Sequence, residues 1–518
     1  MTSTREIATS FTPVVISSSR LDLLDHYGVP YTVRPHRPTP GLGQLRGVDG
    51  TVRLLWPDAQ NGCGPLVSVT GIPLLAPVLT DEDADALLAD VGLEWRVCGE
   101  VVGPDGDPVG SIRRADDGSV FIPFDPNLAE QLLRTEAYVD ALTTPVRGLA
   151  RKLARNAYYA IRPLIPRAAQ MAMRRRFARR QDRTTYPRWP AETALHDLQE
   201  WLMSIVQMVA GQPIPQIHWW PDRMEWAVIL THDVERAVGY DRVRKLMELE
   251  RERGLRSAWY FVPERDYDVE DTLLGDLRDG GFEVAVHGLK HDGRDMTPGV
   301  FEARLSAMRA YAARWGAVGF RAPSTQRGWR QVAGLGLDHD SSYSDVARYE
   351  PQSGGCCTWL PFFIGDVVEL PITLAMDHTV FELLDHRDAT LWHEKTDLLR
   401  ARGGMAVLLT HPDYLAEPER QDAYTEYLDR VSADATVWCP LPRDASAWWR
   451  ERAASRVEWA EGTWVVTGPA AERASVLVID RPPVFRDSRV LDILGSITLT
   501  TLPSFTPDVV AAVLTPVA

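Results

Sequence analysis

Residues 226–240 read WAVILTHDVERAVGY. In this stretch a short apolar run, Val228-Ile229-Leu230, ends abruptly in Thr231-His232-Asp233-Val234-Glu235. A run of this kind predicts a buried strand, and the residues after it lie at the strand's carboxyl end. Carboxylates next to a buried strand need a cation or hydrogen-bond donors close by. The stretch therefore predicts a site that holds positive charge.

Three further predicted strands also end in polar residues. Strands and helices alternate from about 195 to 450, which is typical of a parallel sheet or an α/β barrel. In such folds the chemistry gathers at the carboxyl ends of the strands. The four endings, in chain order, are His232-Asp233-Val234-Glu235, His287-Gly288-Leu289-Lys290-His291, Arg321-Ala322-Pro323 and Thr410-His411-Pro412-Asp413.

The spacing of His287 and His291 indicates a metal site. If the two residues lie on a helical turn they share a face, so both imidazoles can reach one ion. A carboxylate from another strand would complete three protein ligands and leave a position for water. The spacing alone is more often found in solvated or core histidines, but the preceding strand and the acid cluster favour a metal.

With these motifs, residues 225–415 resemble the polysaccharide deacetylases (NodB homology, carbohydrate esterase family 4), in the variant whose first motif reads Thr-His-Asp-Val-Asp. The second motif matches 287–291, the third looks like 321–324, and the fifth resembles 408–411. The fourth is loose, with 338–342 as its expected place. The resemblance implies an α/β fold with a distorted (β/α) barrel of NodB type and a divalent metal, which we expect to be Zn²⁺.

The resemblance also implies roles for single residues. Asp233 would be the general base, and Arg321 would pair with it and keep it ionised. His411 would be the general acid that protonates the leaving amine. The backbone N–H of Ser324 would help the metal to stabilise the oxyanion.

The metal ligands implied are Glu235, His287 and His291. The common family motif has two adjacent aspartates, whereas Val234 stands at the second position here and the next acid is a glutamate. Whether Asp233 or Glu235 is the carboxylate ligand stays open. We expect His232 to pack behind the site.

The function implied is metal-dependent hydrolysis of N-acetyl groups on a sugar or polysaccharide intermediate. Two alternatives stay open: a cyclic-amide hydrolase of the allantoinase-like branch, and a non-catalytic carbohydrate-binding protein. The joint presence of the base, arginine, histidines and acid argues against the non-catalytic alternative. The identity of the sugar and the oligomeric state are not predicted.

Four segments are predicted along the chain. An N-terminal α/β domain covers 1–145 and distantly resembles glutamine amidotransferases, without a recognisable nucleophile elbow. A basic helical linker follows at 146–190, then the barrel at 191–455 and a small C-terminal β module at 456–518. Residues 146–183 are basic and amphipathic, as in helices on anionic membranes, but Pro163 and Pro166 interrupt the pattern and favour a connecting role.

Composition limits the remaining possibilities. The chain has 518 residues and a formal net charge of −15, which disfavours nucleic acid as a partner. Its five cysteines contain no CxxC pair, and we expect Cys356 and Cys357 to be structural. Neither a secretory signal nor an apolar stretch of membrane-spanning length is recognised, so a cytoplasmic protein is expected.

Overall fold

The computed structural model describes residues 13–16, 20–33, 40–48, 50–58, 60–142, 175 and 186–479. These residues form two compact units, one within Met1–Leu142, Thr193–Arg223 and Glu451–Ala518, the other within Thr143–Glu192 and Met224–Arg450. The sequence-based division assigned 193–223 to the barrel and 456–479 to a separate module, whereas the structure groups both with the N-terminal residues. Apart from Arg175, the predicted basic segment 146–183 lies outside the described residues.

The first unit contains a mixed sheet of nine strands in the order β2-β1-β3-β4-β9-β8-β7-β5-β6. The strands are β1 Val14–Ile16, β2 Tyr31–Val33, β3 Leu42–Arg46, β4 Arg53–Pro57, β5 Leu66–Val69, β6 Ile72–Leu75, β7 Trp95–Val102, β8 Pro108–Ala115 and β9 Val120–Phe121. The helices are α1 Asp22–Tyr27, α2 Asp81–Leu88, α3 Pro126–Arg134, α4 Ala137–Ala141 and α5 Ala194–Ala210, followed by strand β10 Ile214–Ile217.

Helix α5 belongs to the core of this unit. Its apolar residues recur at helical spacing, and Leu198, Trp201 and Leu202 are buried in one cluster with strand residues such as Leu54 and Trp56. Burying such a stripe against a sheet is the usual source of a helix's stability in a globular protein.

The second unit is built around a largely parallel sheet in the order β16-β17-β15-β14-β13-β12-β11-β18. Its strands are β11 Trp226–Val234, β12 Ser257–Phe261, β13 Glu283–His287, β14 Gly319–Arg321, β15 His339–Asp340, β16 Phe362–Ile364, β17 Val367–Glu369, β18 Met405–Thr410 and β19 Val437–Trp438. Only β16 runs antiparallel to its neighbour, and β19 pairs with the start of β11. The helices are α6 Ala237–Tyr240, α7 Val243–Arg251, α8 Asp271–Asp279, α9 Val300–Trp315, α10 Trp329–Ala333, α11 Thr390–Ala401, α12 Pro418–Ser432 and α13 Pro442–Ala453.

This sheet curls until the chain after β17 meets β18. The backbone N–H of Leu374 donates to the Val407 carbonyl at 3.1 Å. The Thr373 hydroxyl donates to the Met405 carbonyl at 2.9 Å and accepts from the Val407 N–H at 2.8 Å. The predicted α/β fold with a curled, barrel-like sheet is therefore present in this unit.

The parallel strands are buried on both faces, as expected where helices cover the sheet. All nine residues of β11 are buried, and so are all five of β12 and β13. Because the strands are parallel, their carboxyl ends meet at one edge of the sheet. The polar residues at or just after this edge are Asp233, Glu235, His287, Arg321, Asp340, Glu369 and His411.

After α13 the chain returns to the first unit. Strands β20 Arg456–Ala460 and β21 Thr463–Thr467 form a hairpin, and β22 Val476–Ile479 pairs antiparallel with β10. Among the described residues, no helix is long and apolar enough to cross a membrane.

Candidate metal centre and active site

The alternation of side chains along β11 brings two carboxylates, Asp233 and Glu235, to the same side of the sheet. Successive side chains of a strand point to opposite faces, so residues two apart share a face. Asp233 Oδ1 accepts a hydrogen bond from Arg321 Nη1 at 2.9 Å. Glu235, two residues later, has Oε1 2.7 Å from His291 Nε2. Val234 lies between them and is fully buried, so the Asp-Val-Glu spacing itself places both acids at the site.

Glu235, His287 and His291 form a compact cluster. One potential ligand atom from each lies within 4.8 Å of the others. The Nε2 atoms of His287 and His291 lie 3.8 and 2.7 Å from the same Glu235 oxygen. Both histidine side chains are buried, whereas that of Glu235 is 23% exposed. Burial would raise the pKa of Glu235, but the charge of His291, its hydrogen bond to Glu235 and the neighbouring rings of His287 and His411 hold it well below its usual range.

The two histidines do not lie on a helical turn, so that part of the sequence prediction is wrong. Strand β13 ends at His287, and Gly288 and His291 then adopt positive φ values of 62° and 53°. The backbone N–H groups of 289–291 donate to Asp295 Oδ2 at 3.2–3.4 Å. A Cβ at Gly288 would stand 2.5 Å from that same oxygen. A tight loop wrapped around Asp295 therefore brings the imidazoles together.

The environment of His287 fits a metal ligand. Its Nδ1 lies 3.1 Å from the Arg321 carbonyl, to which it can only donate, so Nε2 keeps its lone pair. Nε2 is buried and has no hydrogen-bond partner in the described part of the chain. It lies 3.5 Å from Asp233 Oδ2. A buried acceptor nitrogen among carboxylates, with its other nitrogen bound to a carbonyl, is the arrangement usual for a metal-ligating histidine.

Arg321 is fully buried beneath Asp233 and holds it in place. Besides Asp233, its guanidinium donates to Thr231 Oγ1 at 3.0 Å and to the carbonyl and hydroxyl oxygens of Ser341 at 2.7 and 2.8 Å. It also lies over the Tyr260 ring, 4.3 Å from the centroid. The pairing of Arg321 with Asp233 expected from the sequence is present. Residues 338–342, the expected fourth motif, contribute the serine that supports this arginine.

Ser324 lies in a short turn, Pro323–Thr325, directly after Arg321-Ala322. Its φ is 57°, in the left-handed region that few residues other than glycine adopt. Among the described residues its backbone N–H has no hydrogen-bond acceptor. This N–H is free to donate to a ligand, and its role at an oxyanion stays a prediction.

His411 is oriented by Asp377, a residue that the sequence analysis missed. Nδ1 and the backbone N–H of His411 lie 2.7 and 2.6 Å from the two oxygens of Asp377. Its Nε2 lies 3.6 Å from Glu235 Oε1. Burial would lower the pKa of His411, but the charge of Asp377 and its hydrogen bond, together with Glu235, raise it well above its usual range. No motif marks Asp377; the only signal is an acid a few residues after a strand.

His232 faces the other side of β11, away from Asp233. Its Nε2 lies 2.6 Å from Glu250 Oε1, and its Nδ1 lies 2.8 Å from Thr410 Oγ1. The ring stacks on Trp259 with centroids 4.1 Å apart, and Tyr424 donates to Glu250 at 2.7 Å. This is the packing position expected for it.

Cys356 and Cys357 are the two cysteines that the sequence predicts to be structural. Both are fully buried and form no disulfide, and their thiols donate hydrogen bonds to the Thr358 and Gly355 carbonyls.

The sequence matches no family model and no curated protein. Solved structures are similar to part of it. A Mycobacterium smegmatis protein described as a polysaccharide deacetylase has 20% identity and a TM-score of 0.36, over 47% of this chain and 96% of its own. The PuuE allantoinase has 16% identity and a TM-score of 0.36, over 45% of this chain and 92% of its own. A variant of the peptidoglycan deacetylase PdaC from Bacillus subtilis has 10% identity and a TM-score of 0.29, over 44% of this chain and 94% of its own.

Proposed function

We propose that this chain is a divalent-metal-dependent hydrolase that removes N-acetyl groups from a sugar or polysaccharide. The observation that carries the proposal is the convergence of three groups at one edge of the curled sheet. They are the ligand cluster Glu235–His287–His291, the pair Asp233–Arg321 and the pair His411–Asp377. Metal-assisted amide hydrolysis uses a Lewis acid, a base for the attacking water and an acid for the leaving nitrogen.

Glu235, His287 and His291 would hold the metal. Two imidazole nitrogens and one carboxylate oxygen form a donor set that suits Zn²⁺. When bound, the ion would lower the pKa of water and polarise the acetyl carbonyl.

Asp233 would take the proton from the attacking water. One of its oxygens accepts from Arg321, and the other faces the cluster, 3.5 Å from His287 Nε2. The hydrogen bond from Arg321 fixes the carboxylate so that its second oxygen is directed towards the place of the attacking water.

His411 would protonate the leaving nitrogen. Asp377 binds the Nδ1 side of the ring, so the Nε2 side faces the cluster with a proton when the imidazole is charged. The raised pKa of His411 keeps that charged form present at neutral pH. The free backbone N–H of Ser324 would donate to the oxyanion as the carbonyl becomes tetrahedral.

The test is hydrolysis by purified protein with a measured metal content. Acetate release would be followed on N-acetylglucosamine oligomers and on an N-acetylated polysaccharide, before and after chelation and after Zn²⁺ is returned. We expect acetate release that chelation abolishes and metal restores. Unchanged turnover in metal-free protein would overturn the proposal.

Two other outcomes separate the alternatives. Ring opening of allantoin without any acetate release would indicate a cyclic-amide hydrolase. Oligosaccharide binding without hydrolysis by the metal-loaded protein would indicate a carbohydrate-binding protein.

A further inference from the structure

Asp340 and Glu369 form a buried pair of acids beneath the site. They end the neighbouring parallel strands β15 and β17 and stand directly opposite each other in the register. Both are fully buried. Neither makes an ion pair with a cation in the described part of the chain, which is unusual because burying two unpaired charges is very costly.

Their hydrogen bonds leave one oxygen of each acid without a donor. Asp340 Oδ1 accepts from the Ser342 hydroxyl at 2.7 Å, and Glu369 Oε1 accepts from the Tyr343 N–H at 3.0 Å. Asp340 Oδ2 and Glu369 Oε2 are buried and find no donor among the described residues. A single proton between these two oxygens would satisfy both, as in other carboxyl pairs that cannot both ionise.

The surroundings agree with one retained proton. Burial raises the pKa of both acids, and the charge of Asp340 raises that of Glu369 further. Glu369 is therefore the acid expected to carry the proton. The titratable or charged groups that act on the pair are His339, Arg321, Tyr260 and Cys356.

A hydrogen-bond chain links this pair to the candidate oxyanion donor. The Ser342 hydroxyl, which donates to Asp340, accepts from the backbone N–H of Ala322 at 2.8 Å. Ala322 begins the turn in which Ser324 carries its free N–H. Fixing Ala322 thus fixes the start of that turn.

We propose that Asp340 and Glu369 share one proton and act as positioning residues, holding Ser342 and through it the turn that presents the Ser324 N–H. The catalytic part of this inference rests on the proposed hydrolase function, whereas the shared proton and the held turn do not.

Infrared spectroscopy tests the proton. At neutral pH the wild-type protein should show the carbonyl band of a buried, protonated carboxyl group, and Glu369→Gln should lose it. The amide introduced by this substitution would donate to Asp340 in place of the acid proton, so the fold should stay close to wild type. Absence of the band in the wild-type protein, or collapse of the fold in Glu369→Gln, would overturn the shared proton.

Ser342→Ala tests the positioning, because it cuts the chain between the pair and the turn while both acids stay in place; Asp340 Oδ1 loses its donor in this variant. Hydrogen exchange of the peptide spanning 321–326 should quicken in Ser342→Ala and stay unchanged in Glu369→Gln. With an active enzyme, kcat should fall about 10–10²-fold in Ser342→Ala, with KM and metal content unchanged. Unaltered exchange in Ser342→Ala would overturn the positioning role. Faster exchange in a protein without deacetylase activity would instead leave that role standing and remove the proposed function.

Discussion

Two histidine–carboxylate pairs lie close together in the second unit. In each pair the carboxylate binds one ring nitrogen, and the pairs differ in what the other ring nitrogen contacts. In His411–Asp377 and His232–Glu250 the nitrogen–oxygen distances are 2.7 and 2.6 Å, and all four side chains are buried. The other nitrogen of His232 is satisfied by Thr410 at 2.8 Å. The other nitrogen of His411 faces Glu235 at 3.6 Å, beyond normal hydrogen-bond length.

The difference separates a packing residue from a candidate acid. A histidine whose two nitrogens both have protein partners can hold strands together but has no proton to exchange with a substrate. A histidine that is oriented through one nitrogen and keeps the other towards a cluster of ligands can transfer a proton. Burial alone does not distinguish the two, because both rings are almost fully buried.

The largest effects are expected for the carboxylates on the side that His411 faces. Asp233→Asn keeps the shape of the side chain but cannot accept the proton, so kcat should fall about 10²–10⁴-fold or more while the metal is retained. Glu235→Gln removes the anionic ligand, so the metal should dissociate and excess metal should recover part of the rate; Glu235→Asp should be milder. Metal stoichiometry measured beside kcat checks this. Metal loss in Asp233→Asn with retention in Glu235→Gln would reverse the two roles.

The next largest effect should follow His411→Ala. Loss of a general acid should lower kcat about 10²–10⁴-fold while metal content stays that of the wild type. A fall of metal occupancy in step with the rate would make His411 a ligand instead.

Asp377→Asn should have a smaller effect of a different kind. Asp377 raises the pKa of His411, so its neutralisation should lower that pKa and deprotonate the acid at lower pH. The alkaline limb of the kcat profile should therefore move to lower pH, with near-normal rates retained on the acid side. An unmoved limb would contradict the role of Asp377.

The smallest effect on turnover is expected for His232→Ala. Among the described residues this change leaves the buried Glu250 with Tyr424 alone as a hydrogen-bond partner, so the free energy of unfolding should fall by about 3–5 kcal/mol. Denaturant unfolding measures this loss, and kcat of the folded protein at low temperature should stay close to wild type. His232→Gln, which can still donate to Glu250, is the matched control. A large loss of kcat in folded His232→Ala would erase the distinction between the two pairs.

The sequence predicted the strand endings better than the local geometry between them. Four polar endings could be read from apolar runs, because a buried parallel strand leaves a continuous apolar pattern. The turn between His287 and His291 could not, because it depends on positive φ values and on Asp295, which spacing does not reveal. The position of Glu235 on the same side as Asp233 follows from the alternation of side chains along a strand, once β11 is known to continue to Val234.

Long-range partners were not predictable from local patterns. Asp377 meets His411 only because the chain after β17 docks on β18. Likewise, the pairing of β10 with β22 joins segments from opposite parts of the chain. Neither contact leaves a periodic signal in the sequence. The sequence therefore predicts neither the discontinuous first unit nor the pairing of His411 with Asp377.

The docking of Thr373 and Leu374 on β18 affects how the protein is expected to lose activity on heating. The few hydrogen bonds that join this segment to Met405 and Val407 also set the place of Asp377, a few residues further on. Local opening at the edge of a sheet needs less free energy than global unfolding. If the proposed activity is present, we therefore expect the protein to lose turnover reversibly at temperatures where its circular dichroism is still native, with cooling restoring both the contact between 373–374 and β18 and the rate.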